Sequence, residues 1–374
     1  MSIDYRPISL LYADSEEAVE CTKVLEEGLE IQLPPTFLLN DTDPYWANFP
    51  SAQHSRVVSP GPARVMRIPN ASVLLEQRSA CIITNEKKLV VNLADSHADG
   101  CCGHGLLSKN IRPPNKYLDG TTLVPVGRYC YNNYWHFTTG IYALLLLAKR
   151  HNLFAEDSIT KILIPSFTRN VFVEMLQLCS LPCYGQVEFV LLEEGEHVVC
   201  ENLVAVGNAT GWECLIPPWK FNMVRSAFMR HRNSPAQEQG KKILIVRRNT
   251  GRGFGNQDMI VSVCARHGYD AVDLEGMSFL DQAALFNRAT HIVGVHGSAL
   301  TNLFYAQKGV RVLELFNPFY VVNYFTSLVE AAEGIHYTLV GDGAAPNVPI
   351  SSRVNDPIIF EEALFAQAME RFEA

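Results

Sequence analysis

Three stretches of the chain combine residue types that can do chemistry. The first, His291-Ile-Val-Gly-Val-His-Gly-Ser-Ala-Leu-Thr-Asn-Leu303, runs an apolar strand into a turn containing Gly294 and Gly297, and then into a helix. Ligands of open α/β sheets bind at the carboxyl ends of strands. A helix N-terminus there offers free N–H groups and partial positive charge, which suits a phosphate. Gly297 would let an anion approach the backbone, and His296, Ser298, Thr301 and Asn302 supply polar side chains around it. The same pattern fits an ordinary strand–turn–helix with Ser298 as cap, so both readings stand at this point.

The second stretch is Ile243-Leu-Ile-Val-Arg-Arg-Asn-Thr-Gly-Arg-Gly-Phe-Gly255. Arg247 and Arg248 end an apolar strand and Arg252 follows closely. Paired guanidinium groups can grip a phosphate bidentately, each charge-assisted hydrogen bond contributing about 1.5–3 kcal/mol. A single arginine here could equally be a solvated one, but two polar strand tips in one sheet favour a shared anion site. The third stretch, Asn133-Tyr-Trp-His-Phe-Thr-Thr-Gly-Ile-Tyr-Ala143, sets His136 among aromatics at a helix start. Imidazole exchanges protons near neutral pH, which suits a general base; a lone histidine is also commonly structural.

The elements that must position these residues are legible from periodicity. The first 125 residues are irregular, apart from a hairpin in which Cys81 to Thr84 and Leu89 to Leu93 flank Asn85-Glu86. From about residue 130, helices alternate with short apolar strands. Lys161 to Pro165, Val187 to Leu192 and Leu203 to Val206 read as strands, and Arg169 to Cys179 as a helix. Pro217-Pro218 breaks the pattern ahead of a helix from Asn222 to His231, and Asn233 to Gly240 reads as a linker. Beyond it, strands Ile243 to Val246, Ala271 to Leu274, His291 to Gly294 and Val310 to Phe316 alternate with helices Gln257 to His267, Ser278 to Ala289 and Ser298 to Ala306. That alternation predicts a parallel sheet covered on both faces. Asp356 and Pro357 read as N-cap and first residue of a last helix striped by Leu364, Phe365, Ala368, Met369 and Phe372.

Composition narrows the function classes. The 374 residues are 48% hydrophobic and 19% charged, enough for two globular domains, and a net charge of −8 argues against a general nucleic-acid binder. The start of the chain lacks the pattern of an export signal, and the apolar run from Ile141 to Ala148 is too short to span a bilayer. Ten scattered cysteines are then expected to be reduced, in the cytoplasm. The Asn-x-Ser/Thr triplets at Asn40, Asn70 and Asn208 read as chance matches. Asp41-Thr-Asp43 imitates a metal-binding Asp-x-Asp pair but lies among turn formers, and Asp95 to His104 gathers metal-ligand types without a zinc spacing. Gly251, Gly253 and Gly255 with Asp273 imitate a dinucleotide fingerprint at the wrong spacing, which leaves an NAD(P)-dependent oxidoreductase as a distant alternative.

Taken together, the three stretches resemble glycosyltransferase family 61, whose bacterial members are capsular polysaccharide biosynthesis proteins. That family shows an Asn-Tyr-Tyr-His-Trp-like block and a strand ending Ser-Arg-Arg. Later come Val-Gly-x-His-Gly-Ala-Gly-Leu-Thr-Asn and Pro-Gly-Thr-x-Val-x-Glu-Leu. Here the counterparts are Asn133 to Phe137, Val246-Arg247-Arg248, Val293 to Asn302 and Lys308-Gly-Val-Arg-Val-Leu-Glu-Leu315. Order and spacing agree over roughly residues 125 to 320, and little similarity precedes residue 60.

The resemblance implies a GT-B-like α/β fold of two Rossmann-like domains facing a cleft. The expected division is 1–232 on the acceptor side, 241–355 for the nucleotide sugar, and 356–374 as a terminal helix packing back on the first domain. It implies an inverting, metal-independent transferase that uses a nucleotide-sugar donor as co-substrate and no cofactor. The acceptor is a saccharide or glycolipid, and the location cytoplasmic, with peripheral contact at the inner membrane face left open. By position, Arg247, Arg248 and Arg252 with the His296–Asn302 turn would hold the diphosphate. Glu314 would accept from ribose hydroxyls, and His136 would be the base. Two residues depart from the family. Gly140 stands where many relatives have an acidic residue four positions after the block's histidine, and Ala299 replaces the second glycine of His-Gly-Ala-Gly. The first departure keeps alive a nucleotide-sugar-binding protein with weakened catalysis.

Overall fold

The computed structural model describes residues 9–12, 16–18, 21–28, 31–33, 37–39, 56–58, 61–76, 79–91, 93, 111–127, 132–181, 187–208, 215–231, 240–247, 253–343 and 355–374. The chain divides into two units, one of residues 1–30 and 59–227 and the other of residues 31–58 and 228–374. Arg248 and Arg252 lie outside the described residues, as do Asn40, Asp41, Asp43, Gly251 and the segment from Asp95 to His104.

The first unit is built on a mixed sheet. Its long strands are β1 (Ala63–Glu76), β2 (Lys116–Val126), β3 (Ile159–Pro165), β4 (Glu188–Leu192) and β5 (His197–Asn208). β5 pairs antiparallel with β1 and parallel with β2, and the parallel run continues through β3 to β4. Beyond β1, Ser79–Ile83 and Lys88–Val91 form the expected hairpin, closed by Thr84 N–H donating to Lys88 O at 2.9 Å. The sheet is therefore parallel through β5, β2, β3 and β4, while β1 and the hairpin add antiparallel strands. Helix α1 (Tyr134–Phe137) passes through a π-helical segment, Thr138–Tyr142, into α2 (Ala143–Arg150). α2 buries every residue from Ala143 to Ala148, so the apolar run there is core. Helix α3 (Asn170–Leu178) buries Val171, Phe172, Met175 and Leu176 along one stripe. The helix expected from Asn222 instead begins at Pro218 and ends at Met229. Proline has no N–H to lose in a first turn, so Pro218 opens the helix as well as ending what precedes it.

The second unit carries β6 (Lys241–Val246), α4 (Gln257–Arg266), β7 (Asp270–Asp273), α5 (Phe279–Arg288), β8 (Ala289–Val295), β9 (Arg311–Phe316), α6 (Thr326–Ala331), β10 (Ile335–Val340) and α7 (Glu362–Glu373). Its strands lie in the order β7-β6-β8-β9-β10, with Phe37–Leu38 added beyond β10, and every pairing is parallel. Leu244, Val293 and Leu313 are wholly buried, as a sheet covered on both faces requires. Ser278 caps α5 by accepting from Asp281 N–H at 3.2 Å, and its hydroxyl donates to the Asp281 carboxylate at 2.6 Å.

Three expectations change here. The C-terminal helix belongs to the second unit: Phe365, Ala368, Met369 and Phe372 join Ile260, Val263 and Leu313 in one core cluster. Burial of the two phenylalanines and the methionine is worth about 1.5–3 kcal/mol apiece. The helix starts at Glu362, since Ile358–Ile359 first pairs antiparallel with Asp342–Gly343 and so holds Asp356 away from a helix start. The segment after β8 is a 3-10 helix, Ser298–Tyr305, entered through Gly297.

Candidate active site

The order β7-β6-β8-β9-β10 reverses between β6 and β8. The connection leaving β6 leads to one side of the sheet and the connection leaving β8 leads to the other, so a crevice opens at the carboxyl ends of these two strands. Arg247 directly follows β6, and His296 and Gly297 directly follow β8. The two polar strand tips read from the sequence thus meet at the switch point. They are in contact: a Cβ placed on Gly297 would lie 3.0 Å from Arg247 Cζ and collide with Nη2. Glycine is needed here for room, since the backbone is extended and open to any residue. Ser298 and Ala299 are half-buried, as is Arg247.

The remaining turn residues are enclosed. Thr301 and Asn302 are fully buried. Asn302 Nδ2 donates to Gln282 Oε1 on α5 and to Ala299 O, both at 3.1 Å, and so ties the 3-10 helix to α5. Both are among the residues expected to hold the anion, and both are enclosed behind the turn. Gly253 and Gly255 are likewise structural. Ile358 N–H donates to Gly253 O at 2.9 Å, Gly255 N–H to Ile358 O at 2.8 Å, and a Cβ on Gly255 would meet Ile359 Cγ1 at 2.8 Å.

Glu314 on β9, expected to accept from ribose hydroxyls, is wholly enclosed. Its Oε1 lies 2.5 Å from His296 Nδ1 and its Oε2 2.9 Å from His336 Nε2 on β10. Burial alone would raise its carboxyl, but the hydrogen bonds and charge of His296 and His336 outweigh that and hold it below the ordinary glutamate value. His336 Nδ1 in turn lies 3.0 Å from Thr326 Oγ1, and the Thr326 hydroxyl donates to Asn323 Oδ1. His296 stacks on Phe316 at 5.1 Å between ring centres and meets the rings of Tyr320 and Phe325 at 5.3 Å. Neither His336 nor this aromatic surround was found from the sequence. The one signal was polar His336 and Thr338 alternating along a short strand, which in a buried position demands partners.

In the first unit, His136 is half-buried and lies in the four-residue helix α1, capped by Asn133 Oδ1 accepting from His136 N–H at 3.3 Å. Around it the aromatic block is packed: Phe137 stacks on Phe172 at 4.0 Å and meets Phe167 edge-on at 5.6 Å. Asn132 accepts from Thr168 N–H at 2.8 Å through its side chain, and from Arg169 Nη1 at 3.2 Å through its carbonyl. The π-helical segment follows at once, and a Cβ on Gly127 would lie 3.3 Å from Gly140 Cα. Single-turn π segments often mark functional sites.

Among the described residues no helix is long and apolar enough to cross a membrane. No curated protein matches the chain. Residues 134–313, a span that holds His136, Arg247 and the Gly297 turn, match the family model Glycosyltransferase 61, and over that span the chain is similar to that family.

Proposed function

We propose that the chain is a glycosyltransferase that moves a sugar from a nucleotide-sugar donor to a hydroxyl of a saccharide or glycolipid acceptor, with inversion, in surface polysaccharide biosynthesis. The observation that carries this reading is the Arg247 guanidinium lying against Gly297 at the switch point of a parallel sheet. That is where an α/β sheet takes a phosphorylated ligand, and it lies within the span similar to glycosyltransferase 61. In the proposed step the acceptor O–H gives its proton to His136. The acceptor oxygen bonds to the anomeric carbon, and the bond from that carbon to the diphosphate breaks on the opposite side. The nucleoside diphosphate leaves with the bonding pair. Arg247, with Arg248 and Arg252 beyond the described residues, and the N–H groups at Ser298 neutralise it, the electrostatic role a metal would otherwise fill.

The test is calorimetry against a panel of nucleoside diphosphates and nucleotide sugars. Arg247→Ala should weaken binding of the best nucleoside diphosphate by about tenfold or more, the loss of one charge-assisted bond. Unchanged affinity removes the reading. His136→Ala should keep that affinity and lose turnover, and full activity would dismiss His136 as the base. Gly140 favours one rival, a nucleotide-sugar-binding protein without turnover; donor that binds yet is neither transferred nor slowly hydrolysed would support it.

A further inference from the structure

The chain from the end of β9 to the start of α6 is dense in aromatic rings: Phe316, Phe319, Tyr320, Tyr324 and Phe325 fall within ten residues. The segment is pinned at several points. Asn317 is buried; its Oδ1 accepts from Phe319 N–H at 2.8 Å and its carbonyl from Tyr320 N–H at 2.9 Å. Its Nδ2 donates to Asp356 O at 3.0 Å. Val321 packs with Phe316 and Val340, and Phe325 is buried. His296 N–H donates to Leu315 O at 2.8 Å, which ties the tip of β8 to the end of β9. Within this frame Tyr320 and Tyr324 stay half-buried, with ring centres 5.3 and 5.8 Å from that of His296. Strand β8 lies between β6 and β9. The tip of β8 therefore has the Arg247 guanidinium on its β6 side and the two tyrosines on its β9 side.

We propose that Tyr320 and Tyr324 are the stacking platform for the donor's nucleobase, so that the nucleotide lies across the tip of β8 with its diphosphate at Gly297 and its base towards β9. The inference rests on the proposed diphosphate site at that turn and adds the direction in which the donor lies. Of the donor's parts only the base offers a flat π-face to aromatic rings; the diphosphate and the sugar do not. Stacking of a base on an aromatic side chain tolerates any base, so the platform fixes orientation and strength of binding rather than base identity. The pinning of the segment serves this role, because a ring already held in place loses little conformational freedom when a base settles on it.

The test is calorimetric titration of the full chain with the diphosphates of uridine, thymidine, cytidine, adenosine and guanosine, and with inorganic pyrophosphate, which has no base. Tyr320→Ala and Tyr324→Ala, made singly and together, should weaken the tightest nucleoside diphosphate by about tenfold or more in the double variant. Pyrophosphate affinity should stay as in the wild type, which also shows that the turn keeps its shape. Tyr320→Phe and Tyr324→Phe should bind both probes normally, since stacking uses the ring and not the hydroxyl. Unchanged nucleoside diphosphate affinity in the alanine variants, or equal losses for both probes, overturns the platform. A loss seen with a nucleotide sugar but not with its nucleoside diphosphate would put the sugar against the rings and overturn it too. Pyrophosphate that binds through Arg247 while the tyrosines prove indifferent to the base leaves the diphosphate site standing and removes only this inference. If no probe binds the wild type, the diphosphate site fails and the platform with it.

Discussion

Replacing Gly297 by alanine should remove ligand affinity while leaving the fold almost unchanged. The added methyl would lie 3.0 Å from Arg247 Cζ and overlap Nη2, whereas the backbone at 297 is already extended and accepts a side chain without strain. The colliding group is the far end of a flexible side chain, so it can swing aside, and unfolding free energy should change by less than about 1 kcal/mol. What is lost is the guanidinium's place over the turn. If Arg247 gives the diphosphate one charge-assisted hydrogen bond, about 1.5–3 kcal/mol of binding goes with it, a rise in Kd of roughly ten- to 150-fold. The assay is calorimetric titration of wild type, Gly297→Ala, Arg247→Ala and the double variant with the same nucleoside diphosphate. Since the first change acts through the second residue, the double variant should bind no more weakly than Arg247→Ala alone. Wild-type affinity in Gly297→Ala, or additive losses in the double variant, would refute the shared site.

Three further outcomes follow from packing and charge. Phe172→Ala empties the ring against which Phe137 stacks at 4.0 Å, and should lower stability by about 3–5 kcal/mol in denaturant titration. Met369→Ala, in a side chain with no exposure, should lower it by about 2–5 kcal/mol, showing that the last helix is part of the second unit's core; a change near zero would contradict that packing. Glu314 has its folded-state carboxyl depressed, so its contribution to stability is fully present above the ordinary glutamate value and is lost as pH falls through the lower folded value. Thermal unfolding of Glu314→Gln should show a lower plateau at neutral pH and a shallower decline on the acid side than wild type; parallel curves would dismiss Glu314 as a contributor.

Much of the scaffold was legible because periodicity is a local property. The strands at Ile243, His291 and Val310, and the helices between them, stand within a few residues of where apolar spacing and the Ser278 cap predict them. The hairpin across Asn85-Glu86 was legible for the same reason. The three chemical stretches were also found in one dimension, from arginines, glycines and histidine at strand ends. What could not be read was which strand ends meet. Nothing in the spacing of Arg247 and Gly297 states that β6 and β8 are neighbours; the crossing of β7 to the far side of β6 decides it. Nor could residue type say that Thr301 and Asn302 turn inward, or that Glu314 is sealed between two imidazoles, because burial depends on what packs above a residue.

The sequence by itself determined the α/β alternation, the parallel sheet of the second unit and the candidate anion-binding tips, since each rests on residue pattern over a dozen positions or fewer. Only tertiary structure decided that the C-terminal helix joins the second unit, that Phe37–Leu38 extends that unit's sheet, and that His336 stands behind His296. These are contacts between segments tens to hundreds of residues apart, fixed by strand order and shared burial, which no local pattern encodes.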